Sequence, residues 1–151
     1  MKEPRVSMFE RTRIAMAEIV PVIRAMEQTF GKDAVRAVLK QKLEQEIDAA
    51  ATAPCRSPDF ERAKRSIDLF AEGNALDYEV LASTDDALDF NVTRCRYKQL
   101  MEELDAVDLG PYLICDHDFA PALRVGMKLT RTQTCMQGAS HCDFRYSRRQ
   151  P

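Results

Sequence analysis

The sequence has no surplus of basic residues. Its 22 Lys and Arg stand against 24 Asp and Glu, a net charge of −2, so the basic footprint of a nucleic-acid binder is missing. No apolar run approaches the ~20 residues that span a bilayer. The opening Met1-Lys2-Glu3-Pro4-Arg5-Val6-Ser7 has no apolar signal core behind it. A cytoplasmic chain is therefore expected, with neither nucleic acid nor membrane as partner. Histidine is scarce, with only His117 and His141. Internal repeats and low-complexity segments are absent. What remains is ordinary for a soluble protein: 45% hydrophobic and 30% charged residues over 151 positions, enough for one domain with a substantial core. Residues 1–151 are read as a single domain, helical over 1–74 and mixed over 75–151. A homo-oligomer is left open.

Five cysteines make an odd number with irregular spacing. In a reducing compartment they are thiols, ligands or catalysts and do not form a disulfide framework.

The first half has helical periodicity. Ile19, Ile23, Met26 and Phe30 share one helical face, with Pro21 expected to kink or restart the helix and Gly31 to end it. Asp33 is expected to cap a second helix carrying Val35, Val38, Leu39, Leu43 and Ile47. Ala49–Pro58 reads as a linker. A third helix is expected with Ser57 as N-cap and Pro58 at its first position, closed by Gly73-Asn74. The second half changes period. Leu76–Ala82 reads as a strand, and Leu88, Phe90 and Val92 alternate with polar residues as a half-buried strand does. A turn at Thr84-Asp85-Asp86 joins them. A short helix is expected over Tyr97–Leu104 and partial helix over Pro111–Leu123. Strands are expected over Met127–Thr134 and Cys142–Arg148, with a loop around Gly138. The fold class is α+β: N-terminal helices packed on a small antiparallel sheet, with a β-β-α-α-β-β second half.

Cys95, Cys115 and Cys142 each sit beside polar chemistry. Cys95 lies between Arg94 and Arg96 at an expected helix start, where positive charge favours a thiolate; a strand-end core thiol is the alternative. Cys115 and Asp118 are three apart and would share a helical face, as nucleophile and proton shuttle or as two metal ligands. Asp116 and His117 would point elsewhere. Core packing for Cys115 and helix capping for Asp118 form the alternative. On the last strand Cys142, Phe144 and Tyr146 share one face, and His141, Asp143 and Arg145 the other. Cys135 and Cys142, seven apart across Gly138, are not the short knuckle of a zinc ribbon.

Taken together, Phe90-Asn91-Val92-Thr93-Arg94-Cys95, Cys115-Asp116-His117-Asp118, Leu129-Thr130-Arg131-Thr132-Gln133-Thr134 and Gly138 to Phe144 resemble the L-2-amino-thiazoline-4-carboxylate hydrolase family. Its pattern matches at Cys95, Cys115, Asp118, Arg131, Thr132, Thr134, Gly138, Cys142, Asp143 and Phe144; Cys55 and Cys135 fall outside it. The resemblance implies a hydrolase that opens a small cyclic amidine-like ring, such as 2-amino-thiazoline-4-carboxylate, to a carbamoyl-cysteine. Cys95, Cys115, Asp118 and Cys142 would be catalytic, and Arg131, Thr134 and Arg94 would bind substrate. A zinc ion, if one is used, would be held by Cys95, Cys115 and Cys142. A second similarity, carried by Cys135-x-x-Gly138 and Cys142-x-Phe144, is to the end of vinyl-reductase-type domains. It implies a zinc-stabilised small-molecule-binding or sensory domain without catalysis.

Overall fold

The computed structural model describes residues 5–151; residues 1–4 of the opening stretch lie outside it. Three helices come first: α1 (Met8–Phe30), α2 (Lys32–Thr52) and α3 (Phe60–Ala71). The Ser7 hydroxyl starts α1 by accepting the Glu10 amide at 3.1 Å, an N-cap contact. The helix runs unbroken through Pro21. Pro21 is exposed, so water can satisfy the carbonyl that proline leaves free. The buried stripe is Met16, Val20, Ile23 and Glu27, not the Ile19, Ile23, Met26, Phe30 stripe that hydrophobicity favours. Two apolar stripes lie side by side on this helix, and an ion cluster selects between them. Glu27 accepts from Arg24 at 2.8 Å and from Arg36 at 3.3 Å. Both arginines also bind Asp108, which pins α1 and α2 to the 3₁₀ turn Val107–Leu109.

Two helix starts differ from expectation. Gly31, at φ +89°, ends α1 and directly precedes α2, so Asp33 lies within the first turn and caps nothing. The third helix is capped by Asp59, which accepts the Arg62 amide at 2.9 Å, not by Ser57. Residues 56–58 are pressed against Gly126: a Cβ there would lie 1.9 Å from the Arg56 carbonyl oxygen. The chain therefore reaches Asp59 before it can coil.

The sheet is antiparallel, with strands β1 (Leu76–Ser83), β2 (Ala87–Cys95), β3 (Met127–Thr130) and β4 (Cys142–Arg148) in the order β1-β2-β4-β3. Helices α4 (Arg96–Glu103), α5 (Gly110–Leu113) and α6 (Phe119–Arg124) lie between β2 and β3. The architecture is α+β. One sheet face carries Leu88, Phe90, Val92, Cys142, Met127 and Leu129 into a core shared with Phe60, Ile67 and Ala122. A second core joins α1, α2 and α4 through Val20, Ile23, Val35, Leu100 and Met101. Strand β3 is shorter than the expected Met127–Thr134. The Asp143 carboxylate accepts the amides of Thr132 and Gln133 at 2.8 and 2.9 Å, and the Thr132 hydroxyl. A side chain replaces the backbone ladder there, and the strand leaves the sheet. Near the C-terminus Arg149 donates to the carbonyls of Ala50 and Leu123 at 3.1 Å. It thereby fills acceptors that the ends of α2 and α6 leave open.

Gly126 has φ +79° as well as the backbone of Arg56 against it. Gly126→Ala is therefore expected to destabilise the protein by about 2–3 kcal/mol, from overpacking plus left-handed strain. Urea unfolding monitored by circular dichroism checks this, and an unchanged midpoint would contradict the packing described.

Candidate functional site

The site is built where the regular patterns fail. In the β1–β2 register Asp77 faces Arg94 and Tyr78 faces Val92, which leaves Thr93 as an extra residue. Such a bulge re-aims the side chains beyond it. Strict alternation from Val92 would put Cys95 on the outer face. The bulge returns it to the core face, beside Leu76. Arg94 is turned outward, where it donates to Asp77 at 2.7 and 2.9 Å and to the Asn74 carbonyl at 2.8 Å.

Arg131 occupies the next inward position after Met127 and Leu129. Its side chain is 4% exposed. It donates to Asp118 at 2.9 Å, to the Cys115 carbonyl at 3.0 Å and to Asp116 at 3.1 Å. The guanidinium also lies 5.0 Å from the Phe119 ring centre and 5.2 Å from that of Phe144. A cation so enclosed is stabilised by charged acceptors and ring faces together. Residues Cys115–Asp118 form a 3₁₀ turn, in which side chains three apart eclipse, so Cys115 and Asp118 project to one side. Asp116 also reaches Arg131, contrary to the expectation that it points away.

These groups feel one another. The Cys115 thiol is influenced by Arg131, Asp118, Cys95 and Cys142, and the Cys95 thiol by Cys135 and Asp118. Burial is the largest effect on each and pushes all three thiols, Cys95, Cys115 and Cys142, above the usual thiol range. This reverses the expected activation of Cys95. Arg94 is spent on Asp77, and Arg96 donates to the Gly73 carbonyl at 2.8 Å with its guanidinium over the Phe9 ring. The amides of Lys98 and Tyr97 lower the Cys95 value by less than burial raises it. At neutral pH these are protonated thiols.

Asp118 differs. Its deep setting pushes its carboxyl up to about 6, with Arg131 pulling the other way. Yet solvent reaches 35% of its side chain, so it is not inside a sealed core. Burial also raises the Asp116 carboxyl, against the pull of Arg131. Asp116 and Phe119 line an open groove of about 1040 Å³ whose walls include Lys40, Lys98 and Tyr112.

Thr134 is 3% exposed. Its hydroxyl caps the 3₁₀ turn Cys135–Gln137, accepting the Gln137 amide at 3.2 Å. Cys135, left out of the expected site, is beside it: its amide donates to the Cys142 sulfur at 3.2 Å, and its thiol to the Val92 carbonyl at 3.5 Å. The seven-residue spacing across Gly138 was the one sequence sign of this pairing. Asp116 carried no sign beyond its neighbours. Among the described residues no group of three or more His, Cys, Asp and Glu side chains is arranged to hold a metal ion.

The family model for L-2-amino-thiazoline-4-carboxylic acid hydrolase matches residues 10–146, and the chain belongs to this family. No curated protein matches it.

The thiol chemistry gives a direct test. All five cysteines are free, and Cys55 is the exposed one. Alkylation of the native protein near neutral pH should label Cys55 quickly and the other four slowly, with the rest released by denaturant. Labelling of Cys95 or Cys115 as fast as Cys55, read by peptide mass spectrometry, would contradict the protonated, shielded thiols described.

Proposed function

We propose that this member of a hydrolase family opens a small cyclic amidine that carries a carboxylate, of the kind of 2-amino-thiazoline-4-carboxylate, to give a carbamoyl-cysteine. The observation that carries the reading is Asp118: a carboxylate still reached by solvent, oriented by a buried arginine, with its pKa near 6. A group of that basicity is ionised at neutral pH and still able to take a proton, the condition for general-base catalysis.

The ring carbon under attack bears two nitrogens and one sulfur. Asp118 takes a proton from water as the oxygen bonds to that carbon, and passes it to the nitrogen on which the C=N electron pair settles, which leaves a neutral tetrahedral centre. Asp118 then takes the remaining hydroxyl proton as a C=O bond forms and one ring bond breaks. Loss of sulfur leaves an N-carbamoyl product with a free thiol; loss of nitrogen leaves an S-carbamoyl product with a free amine. Asp118 returns its proton to the departing atom, so one water is consumed and no other reactant is needed. The neutral thiols of Cys95 and Cys115, both within electrostatic reach of Asp118, add no charge beside it. A resting thiolate nucleophile has no support in their acidities. Arg131 is committed to Asp118, Asp116 and the Cys115 carbonyl. Its part is to position the carboxylate, and the substrate carboxylate falls to another cation.

Purified protein should convert 2-amino-thiazoline-4-carboxylate to product, with thiol and amine reagents reporting which ring bond breaks. Because the ionised carboxylate is the active form, the rate should rise with pH through about 6 and be lost below it. Asp118→Asn should lower turnover about 10²–10⁴-fold and abolish this limb, with the melting temperature checked alongside. Turnover by Asp118→Asn close to that of the unaltered protein would remove Asp118 from the chemistry. No turnover of any carboxylated cyclic amidine by the unaltered protein would overturn the reading itself.

A further inference from the structure

Arg131 with Asp116 and Asp118 sets one cation against two carboxylates. An anionic substrate is repelled there unless a second cation receives it. Among the described residues, three cations line the groove that Asp116 and Phe119 also line: Arg36, Lys40 and Lys98. Arg36 is spent on Glu27 and Asp108. Lys40 stands out from α2 with 69% of its side chain exposed, 3.7 Å from Glu44. The Lys98 side chain is 34% exposed, and its place in the chain ties it to the site. It lies in the first turn of α4, where its amide and that of Tyr97 are directed at the Cys95 sulfur. Cys95 in turn feels Asp118. The main chain of Lys98 therefore backs a thiol of the site while its side chain borders the groove.

We propose that the Lys98 ammonium binds the carboxylate of the ring substrate, while the amidine end, with its N–H groups, faces Asp116 and Asp118. The inference rests on the hydrolytic reading above and supplies the cation that Arg131, already committed, cannot be. Lys98 pairs with Glu102 at 3.5 Å, one helical turn on, and that carboxylate is 50% exposed. An exposed pair of this kind is held weakly. A substrate carboxylate can take the place of Glu102, because the ammonium exchanges one carboxylate for another. Lysine is a compact charge with three donors on a flexible stem, so it can also hold both at once. The two ends of the substrate then meet groups of opposite sign. That orientation turns the amidine carbon toward Asp118 and the carboxylate away from it.

The probe is 2-amino-thiazole-4-carboxylate, an aromatic ring that keeps the amino group and the carboxylate and resists hydrolysis. Its carboxamide is the uncharged counterpart. Titration of the full chain, followed by NMR, should show the carboxylate bound more tightly than the carboxamide. Lys98→Met should weaken carboxylate binding about 10–100-fold, the loss of one charge-assisted hydrogen bond, with carboxamide binding and melting temperature unchanged. Lys98→Gln serves the same purpose if Lys98→Met folds poorly, and Lys98→Arg should keep most of the binding. With 2-amino-thiazoline-4-carboxylate as substrate, Lys98→Met should raise KM by the same factor and leave the rise of rate through about pH 6 in place. Equal affinity of the unaltered protein for carboxylate and carboxamide would overturn the proposal. So would a loss of carboxylate binding in Lys40→Met and not in Lys98→Met. The two readings fail separately. Lys98-dependent carboxylate binding without turnover would remove the hydrolysis and keep this site; turnover with KM untouched in Lys98→Met would remove this site and keep the hydrolysis.

Discussion

A guanidinium with 4% of its side chain exposed must find its acceptors inside the protein, and the source of those acceptors governs how the second half of this chain assembles. Arg131 finds them in one short segment, Cys115 to Asp118. The Phe119 and Phe144 rings lie against the same cation. The 3₁₀ turn is thus held to the inner sheet face by a charge that cannot be left alone. Losing both carboxylates would leave the Arg131 charge buried with only the Cys115 carbonyl to accept from it, the costly case for a buried cation. The same contact sets the chemistry. Without Arg131, burial alone would drive Asp118 still further toward its neutral form. With it, the carboxyl settles at about 6.

The thiols respond to the same desolvation without that compensation. Arg131 lowers the Cys115 value by less than burial raises it, and Cys142 has one backbone amide, from Cys135, as its donor. One low-polarity environment therefore has two outcomes. It leaves a carboxylate, intrinsically acidic and arginine-paired, with its pKa raised to about 6, and it leaves thiols protonated. A division of labour between groups of different starting acidity, set by a shared environment, is how active sites separate acid and base roles.

The elements were largely legible because hydrophobic period reports directly on helix and strand. The β1–β2 hairpin, α4 and the β4 strand carry clear signals of that kind. Orientation was less legible. On α1 two neighbouring stripes are both apolar, and the choice between them rests on Arg24, Arg36 and Asp108, the last 81 residues from Glu27 in sequence. Cys95 could not be assigned a face, because the bulge at Thr93 leaves no mark in the alternation before it. Arg131 was legible as a functional candidate but its partners were not: a guanidinium fits a substrate carboxylate and a protein carboxylate equally well. Thr134 matches the family pattern and Arg94 stands beside a matched cysteine; in the structure Thr134 caps a turn and Arg94 makes an outer-face ion pair.

The run Cys142-Asp143-Phe144 shows why a short motif can bind three different jobs into one segment. Strand alternation sends Cys142 and Phe144 to the inner face and Asp143 to the outer one. Cys142 meets the Cys135 amide, and Phe144 presents its ring to Arg131. Asp143 meanwhile captures the amides of Thr132 and Gln133, which ends β3 at Thr130. Arg131, the first residue past that end and the next inward position, reaches across to the 115–118 turn. The acidic residue of the motif thus acts on the site from the opposite face of the sheet. It does so by holding the residues that directly follow Arg131, the cation whose contact lowers the Asp118 carboxyl against the effect of burial.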